Sequence, residues 1–541
     1  MTNTERDHRE RSRVQPMARP KVPLKRLFRV ASVACGVQFG WALQLSLLTP
    51  YVQELGVSHA WASLIWLCGP ISGLVVQPLV GHLSDRCHSR FGRRTPFIFV
   101  GAVSIAVAVL TIGHAADIGW VLGDRGGGKR PRAVVVFVLG FWLLDVANNV
   151  IQGPCRALLG DLSGKDQRRT RIANAYFSLF MAVGNILGYA TGSYSGWHTI
   201  LPFTLTSSCS INCANLKSAF LLDIVLLALT TYISISAAQE MPSNSCDQPA
   251  LSLEERELLS GHDQEASLWE LLGSFRYLPL KVWMVLIVTA LTWIGWFPFL
   301  MFDTDWMGRE VYRGTPEEGK IYHTGVTMGA FGLMLNSVVL GLTSVVMEKL
   351  CRKWGAGLVW GVSNVLMSFC FGVMLIISFL AKSVEFSHSG LPPVGIVIAA
   401  LLVFSALGVP LAVTYSVPYA MISTYTVSLG LGQGLSMGIL NLAIVFPQVI
   451  VSVGSGPLDQ LAGGGNSPAF AVAAVAALVG GLPSWVFLDL KLRGFEASTK
   501  KSTQRSLLVS CLDHAKLSVC QIGTCECSSS LKADQNWVLS F

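Results

Sequence analysis

Apolar residues recur along this chain in blocks of about 20, the length an α-helix needs to cross the hydrocarbon core of a bilayer. They lie near 27–52, 61–80, 95–114, 133–159, 173–192, 217–237, 278–302, 324–346, 356–381, 393–415, 426–455 and 468–489. Only 13% of the 541 residues are charged and 52% are hydrophobic, where a soluble domain has roughly a quarter of its residues charged. The blocks therefore read as spans, and the fold class is an all-α membrane protein with twelve transmembrane helices. The longest break, about 238–277, is polar (EMPSNSCDQPALSLEERELLSGHDQEAS) and follows the sixth block. It divides the chain into an N-terminal tail 1–26, a six-helix half 27–237, a linker 238–277, a second six-helix half 278–489 and a C-terminal tail 490–541.

Lys and Arg flanking the spans set the orientation. The N-terminus (Arg19, Lys21, Lys25, Arg26, Arg29), the loop with Arg86, Arg90, Arg93 and Arg94, and the loop with Lys165, Arg168, Arg169 and Arg171 are basic. Those ends are expected in the cytoplasm, with both termini, the linker and the tail. The loop GDRGGGKRPR is a basic exception that parity places outside. The net charge of +8 follows from topology and calls for no nucleic acid. The hydrophilic first 15 residues lack a cleavable-signal pattern, so the first helix is expected to direct insertion. The 13 cysteines have no zinc or redox spacing, and most read as small buried thiols. Cys209 and Cys213 fall in an outer loop, where a disulfide and two free thiols are both open readings. No metal or cofactor is expected.

The segment GHLSDRCHSRFGRRTPF begins at Gly81. Its glycine permits close helix approach, and Asp85 with Arg86, Arg93 and Arg94 beyond it, and Gly92 between, can form charge-assisted hydrogen bonds across helix ends. A positive-inside loop alone explains the arginines but not the ordered G-x-x-x-D-R followed by R-x-G-R-R. This resembles the loop signature of the major facilitator superfamily, and MEKLCRKWG (Met347 to Gly355) is a degenerate echo in the second half.

FWLLDVANNVIQGPCRALL, from Phe141, places an acid, amides and an arginine in an apolar run. Asp145, Asn149, Gln152 and Arg156 stand at i, i+4, i+7 and i+11, on one helical stripe. Asp and Arg at helix-centre depth each cost roughly 2.5–3.5 kcal/mol, so the stripe must face a cavity or a partner. Pro154 frees a backbone carbonyl, tolerable where it lines a cavity. Two readings stand. Asp145 and Arg156 are structural ions paired to other helices, or the arginine and amides hold a polyhydroxyl ligand while Asp145 carries a proton. Arg156 is about 16 Å along the axis from Asp145, too far to hold it charged unaided.

From about Val30 to Phe487 the chain resembles the plant sucrose/proton symporters of the glycoside-pentoside-hexuronide group. The resemblance rests on GVQFGWALQLSLLTPYVQELG, HAWASLIWLCGPISGLVVQPLVG, LLDVANNVIQGPCRALLGDL, FDTDWMGREVY and MEKLCRKWGAG. It implies the facilitator fold of two six-helix halves and proton-coupled sucrose symport by alternating access. Carried over position by position, Asp145 becomes the proton-coupling acid and Arg156 the sugar-pairing arginine. Asp303, Arg309 and Glu310 become a charged cluster after helix seven, and His59 a histidine on the substrate path. Sucrose and a proton are the implied partners, a monomer suffices, and the plasma membrane is favoured over the vacuolar membrane.

Read by their own chemistry, Trp293 and Trp296 lie at i, i+3 and Asp303 follows by seven, so an aromatic face leads to an acid. That face is either a sugar platform or an interfacial belt, and Trp306 reads as belt. Asp303, Arg309 and Glu310 are otherwise a solvated outer loop, and His59 a surface or capping residue. Gln38, Trp41 and Gln44 make a partial polar stripe in helix one, and Gln433 and Asn441 are weaker lining candidates in helix eleven. The twelfth helix is interrupted by Pro483, the tail that follows it from Lys491 departs from the family pattern, and the short linker argues against the family's long-looped members. An uncoupled facilitator and a non-transporting sugar receptor are the rivals. No enzyme is expected, because no nucleophile, base or metal constellation and no phosphate-binding G-x-x-x-x-G-K-[ST] loop appears.

Overall fold

The computed structural model describes residues 22–48, 51, 55, 67–124, 130–164, 166–194, 196–209, 211–238, 278–314, 320–384, 386, 391–427, 432–461 and 466–483. Twelve long helices account for most of them: α1 Leu24–Leu48, α2 Cys68–Arg86, α3 Thr95–Gly113, α4 Pro131–Ser163, α5 Gln167–Ser193 and α6 Ile211–Ala238, then α7 Leu280–Val311, α8 Lys320–Trp354, α9 Ala356–Ser383, α10 Val394–Val427, α11 Gln433–Leu461 and α12 Ser467–Pro483. Ten are long and apolar enough to cross a membrane; α2 and α12 complete the twelve. Leu139, Val225, Leu342, Phe369, Phe379 and Leu402 are all more than 60% exposed, as side chains facing lipid must be. The protein is an integral membrane protein.

Helix boundaries follow local chemistry. Pro131 opens α4, where its missing N–H costs nothing, and Asp124 accepts from the Ala133 N–H at 2.9 Å. Asp166 caps α5, taking the N–H groups of Arg168 and Arg169. Gly164 (φ 63°) ends α4 and Gly355 (φ 86°) separates α8 from α9; a side chain at either would be strained. The block expected at 426–455 is corrected here: α10 runs on to Val427 and α11 starts at Gln433. Apolar character continues across the short break, so hydropathy alone does not mark it. The linker 238–277 and the tail 490–541 lie, but for Ala238, outside the described residues.

In the first six helices α1 packs between α5 and α6, and α3 against α4 and α6. In the last six, Trp296, Phe299, Trp306, Phe371, Phe404 and Phe470 form one buried aromatic cluster with centroids 5.2–6.3 Å apart. The indole N–H groups of Trp296 and Trp306 are bonded to Thr414 Oγ1 (3.0 Å) and Ser378 Oγ (2.7 Å). Trp306, expected in an interfacial belt, is thus 0% exposed, because a hydroxyl on α9 meets its polar tip inside the bundle.

One end of the bundle carries the arginine-rich turns, the basic end. The other carries a disulfide between Cys209 and Cys213, their Cα atoms 5.3 Å apart. Beside the disulfide Asp117 pairs with Lys217 and accepts from Ser208 Oγ (2.6 Å) and Thr206 Oγ1 (2.5 Å). Burial alone would raise the Asp117 carboxyl, but these hydrogen bonds and the Lys217 charge outweigh it and hold the group below its ordinary value of 3.8. A depressed folded value stabilises at pH above the unfolded value and is lost as pH falls through the folded one. Asp117→Asn should therefore lower the melting temperature at neutral pH and converge on wild type in acid. Equal melting curves at neutral pH would sink this account.

Candidate functional site

At the basic end, Asp85 closes α2 and accepts the N–H groups of Gly434 (3.0 Å) and Leu435 (2.7 Å) at the start of α11. A carboxylate at a helix N-terminus meets both unsatisfied donors and the positive end of the helix dipole. Arg94 is fully buried and bonds Asp85, Ser84 Oγ (2.5 Å) and Asp161 of α4 (3.0 Å), while Arg93 stands 3.5 Å from Asp161. Burial alone would weaken the Arg94 guanidinium's hold on its proton, but Asp161 and Asp85 more than offset it and raise it above its ordinary value. Gly81 faces Gly434 so closely that an added Cβ would collide with its carbonyl oxygen, and Gly92 has φ 104°. Arg86 is exposed. Asp85→Asn should leave Arg94 short of one charged partner, costing on the order of 2 kcal/mol. An unchanged melting temperature of the purified variant would show the contact to be idle. In the echoing position of the second half, Glu348 of α8 pairs with Arg168 of α5 at 3.2 Å.

Further into the bundle, the α4 stripe meets different neighbours along its length. Asp145 is 2% exposed and lies against α2, where a Cβ on Gly69 would stand 3.5 Å from its Oδ2. That oxygen has no hydrogen-bond partner among the described residues. Asn149 donates to Ser72 Oγ (3.1 Å) and to the Asp145 carbonyl (2.9 Å). Asn441 of α11 donates to the Gly73 carbonyl at 2.8 Å, so α4, α2 and α11 are tied at this level. Gln152 is half-buried.

Arg156 is held elsewhere, between α5 and α10. Its Nη1 donates to the Tyr415 carbonyl (3.0 Å) and Asn174 Oδ1 (3.4 Å), and its Nη2 reaches Met181 Sδ at 3.5 Å. The guanidinium lies 3.4 Å from the ring centroid of Tyr419 and 4.2 Å from that of Phe177. No acid pairs with it among the described residues. Two aromatic faces hold the cation, and a thioether is a weak acceptor, so the fork keeps donor capacity at Nη2. The cage draws on both halves. Tyr415 also stands 6.4 Å, centroid to centroid, from Trp293, and Tyr189 of α5 is buried.

Asp303 is 6% exposed and takes the Thr304 N–H at 2.6 Å. Trp296 stands apart from this group in the aromatic cluster, with no free face. Arg309 and Glu310 do not join it either. Arg309 bonds Asp305 at 2.8 Å, while Glu310 accepts from the Asn466 and Ser467 N–H groups (2.6 and 3.0 Å) and Ser467 Oγ (2.7 Å), capping α12. Asp305 also accepts from Tyr322 and Asn466, so this cluster ties α7, α8 and α12 together. On α1, Gln38 and Trp41 are half-buried, and Trp41 Nε1 and Gln44 Oε1 lack partners among the described residues. Gln433 bonds Ser423 at 2.5 Å. His59 lies outside the described residues. Sequence reasoning missed Tyr189, Tyr415 and Tyr419; the tyrosines of TYSVPYA, in an α-helix that continues through Pro410 and Pro418, were the available signal.

The family described as the Major Facilitator Superfamily matches residues 30–414. The chain is 67% identical over 473 residues to the sucrose transport protein SUT2 of Oryza sativa subsp. indica, spanning 85% of this chain and 92% of the relative. It is 63% identical over 495 residues to the sucrose transport protein SUC4 of Arabidopsis thaliana, spanning 89% and 96%. Among solved structures, the proton:xylose symporter XylE bound to 6-bromo-6-deoxy-D-glucose is similar with a TM-score of 0.54 at 13% identity, over 86% of this chain and 95% of that one, which shows a shared fold. These relatives are transporters, not enzymes, and this chain belongs to the plant sucrose transport proteins of the Major Facilitator Superfamily.

Proposed function

We propose that the chain moves sucrose together with a proton, by exposing one site alternately to the two sides of the membrane. The observation that carries the reading is the Arg156 cage: a guanidinium with no acidic partner among the described residues, gripped between aromatic rings, with its contacts divided between the two halves. A neutral polyol offers hydroxyl acceptors for the remaining donors and CH faces for aromatic rings such as Trp293. The names of the relatives supply sucrose as the polyol. In this reading Arg156, with Asn149, Gln152, Gln38, Trp41, Trp293 and Asp303, binds sugar, and Asp145 carries the proton. The basic end lies in the cytoplasm with both termini, and the plasma membrane is the site of action. The halves 27–237 and 278–489 rock about the site while the Asp85–Arg94–Asp161 contact clasps and releases α11.

The test is sucrose-dependent current in voltage-clamped oocytes across external pH. Inward current that grows as the outside is acidified supports symport. Uptake that persists unchanged with a protonophore and without current would instead make the protein an uncoupled facilitator, and sucrose binding without flux a receptor.

A further inference from the structure

A second acid is buried within the first six helices. Asp223 of α6 is 1% exposed, and neither carboxylate oxygen has a hydrogen-bond partner among the described residues. It faces Gly40 of α1, where an added Cβ would stand 3.0 Å from Oδ2 and 3.3 Å from Oδ1. The absence of a side chain on α1 thus makes the space the carboxyl occupies.

No cation pairs with it among the described residues. On α6 itself, Lys217 is engaged by Asp117. On α1, Arg26 is bonded to the Ala237 and Ala238 carbonyls and Arg29 to Ser236, all at the basic end. The span of α3 has no charged residue. On α5 the arginines 168, 169 and 171 lie at the basic end. The other titratable groups on these packed elements are Lys25 and Cys35 of α1, Tyr176 and Tyr189 of α5, Tyr232 of α6, and His198, which bonds Asn215. An ionised carboxylate without donor or counter-ion is among the costliest groups a helix bundle can hold, whereas the protonated form is an ordinary polar group. The same stretch of α1 supplies a donor, Trp41 Nε1, and an acceptor, Gln44 Oε1, that have no partner among the described residues.

We infer that Asp223 is a second proton-binding carboxyl, seated between α1 and α6 and exchanging its proton with water as α1 moves. Taking up a proton removes the charge and lets Gly40 lie against a neutral group; releasing it leaves an anion that needs donors, so the occupancy of Asp223 governs how α1, with Gln38 and Trp41, sits on α6. Its use in transport rests on the proton-coupled reading, but its protonation does not.

Infrared difference spectroscopy of the full-length protein in lipid nanodiscs tests this directly. Wild type should show a protonated-carboxyl C=O band that titrates within the pH range in which the protein stays folded. Asp223→Asn should lose that band, and Asp145→Asn, whatever it does to transport, should keep it. If Asp223→Asn fails to reach the membrane, Gly40→Ala, which crowds Oδ2, should shift the same band. A band that survives Asp223→Asn, that does not titrate, or that is untouched in Gly40→Ala overturns the inference.

Discussion

Arg156→Lys is expected to abolish sucrose-dependent current while leaving expression largely unchanged. Three features of the cage are specific to a guanidinium. Its plane stacks between Phe177 and Tyr419, its Nη1 reaches the Tyr415 carbonyl and Asn174, and its Nη2 is left facing a weak sulfur acceptor. Lysine keeps the charge but offers a compact ammonium without the fork or the planar stack. Two charge-assisted hydrogen bonds at about 1.5–3 kcal/mol each correspond to roughly a hundredfold or greater loss in apparent affinity. Because the cage also joins α4 to α10, the same change should loosen the coupling of sugar to the movement of the halves. Unchanged apparent affinity for sucrose in Arg156→Lys would make the arginine a structural tie, and the sugar site would then have to be sought around Trp293, Asp303 and α1.

How far the sequence reached can be judged residue by residue. The period-3.6 stripe through Asp145, Asn149 and Arg156 was legible because α4 is a single helix that continues through Pro154. What the spacing did not carry is the crossing of α4 over its neighbours: Asp145 meets α2 and Arg156 meets α5 and α10, because a stripe of several turns outruns any one partner helix. The Gly81 to Arg94 segment was readable as a clasp because its charges are local, yet its counterpart, the backbone start of α11, is 349 residues from Asp85. Glu310 illustrates the converse. Read as part of a gate, it spends its oxygens on Asn466 and Ser467, partners that no local pattern announces. Trp293 and Trp296 were correctly placed a turn apart, but the α7 face turns Trp296 into the aromatic cluster and Trp293 towards Tyr415. Asp223 was missed though legible, since a single acid in LLDIVLLAL breaks an apolar run.

In the proposed reading, the contacts between the halves also bear on how a proton and a sugar would travel together. Asp145 and Asn149 lie where α4 meets α2, and α2 is the helix that Asp85 and Gly73 tie to α11. Arg156 lies where α4 meets α5 and α10. A shift of α4 is therefore felt at both contacts with the second half. That gives a common mechanical element for two groups too far apart to touch, and an equilibrium between two arrangements of the halves is biased by whatever binds one arrangement better.

Asp145→Asn removes the group that can change charge while keeping size and most hydrogen-bonding capacity, so it separates coupling from architecture. The Asn149 amide bonds the Asp145 main-chain carbonyl, which the substitution leaves in place, and Oδ2, having no partner among the described residues, leaves no donor stranded. The variant should therefore reach the membrane and bind sucrose. It should lose accumulation against a gradient and the acid-stimulated sucrose current, because no proton is taken up with the sugar. Counterflow, in which labelled sucrose exchanges for unlabelled without net proton movement, should survive and is the measurement that tells lost coupling from lost binding. Concentrative uptake at wild-type level in Asp145→Asn would remove the acid from the coupling role and leave Asp303 or Asp223 to carry the proton.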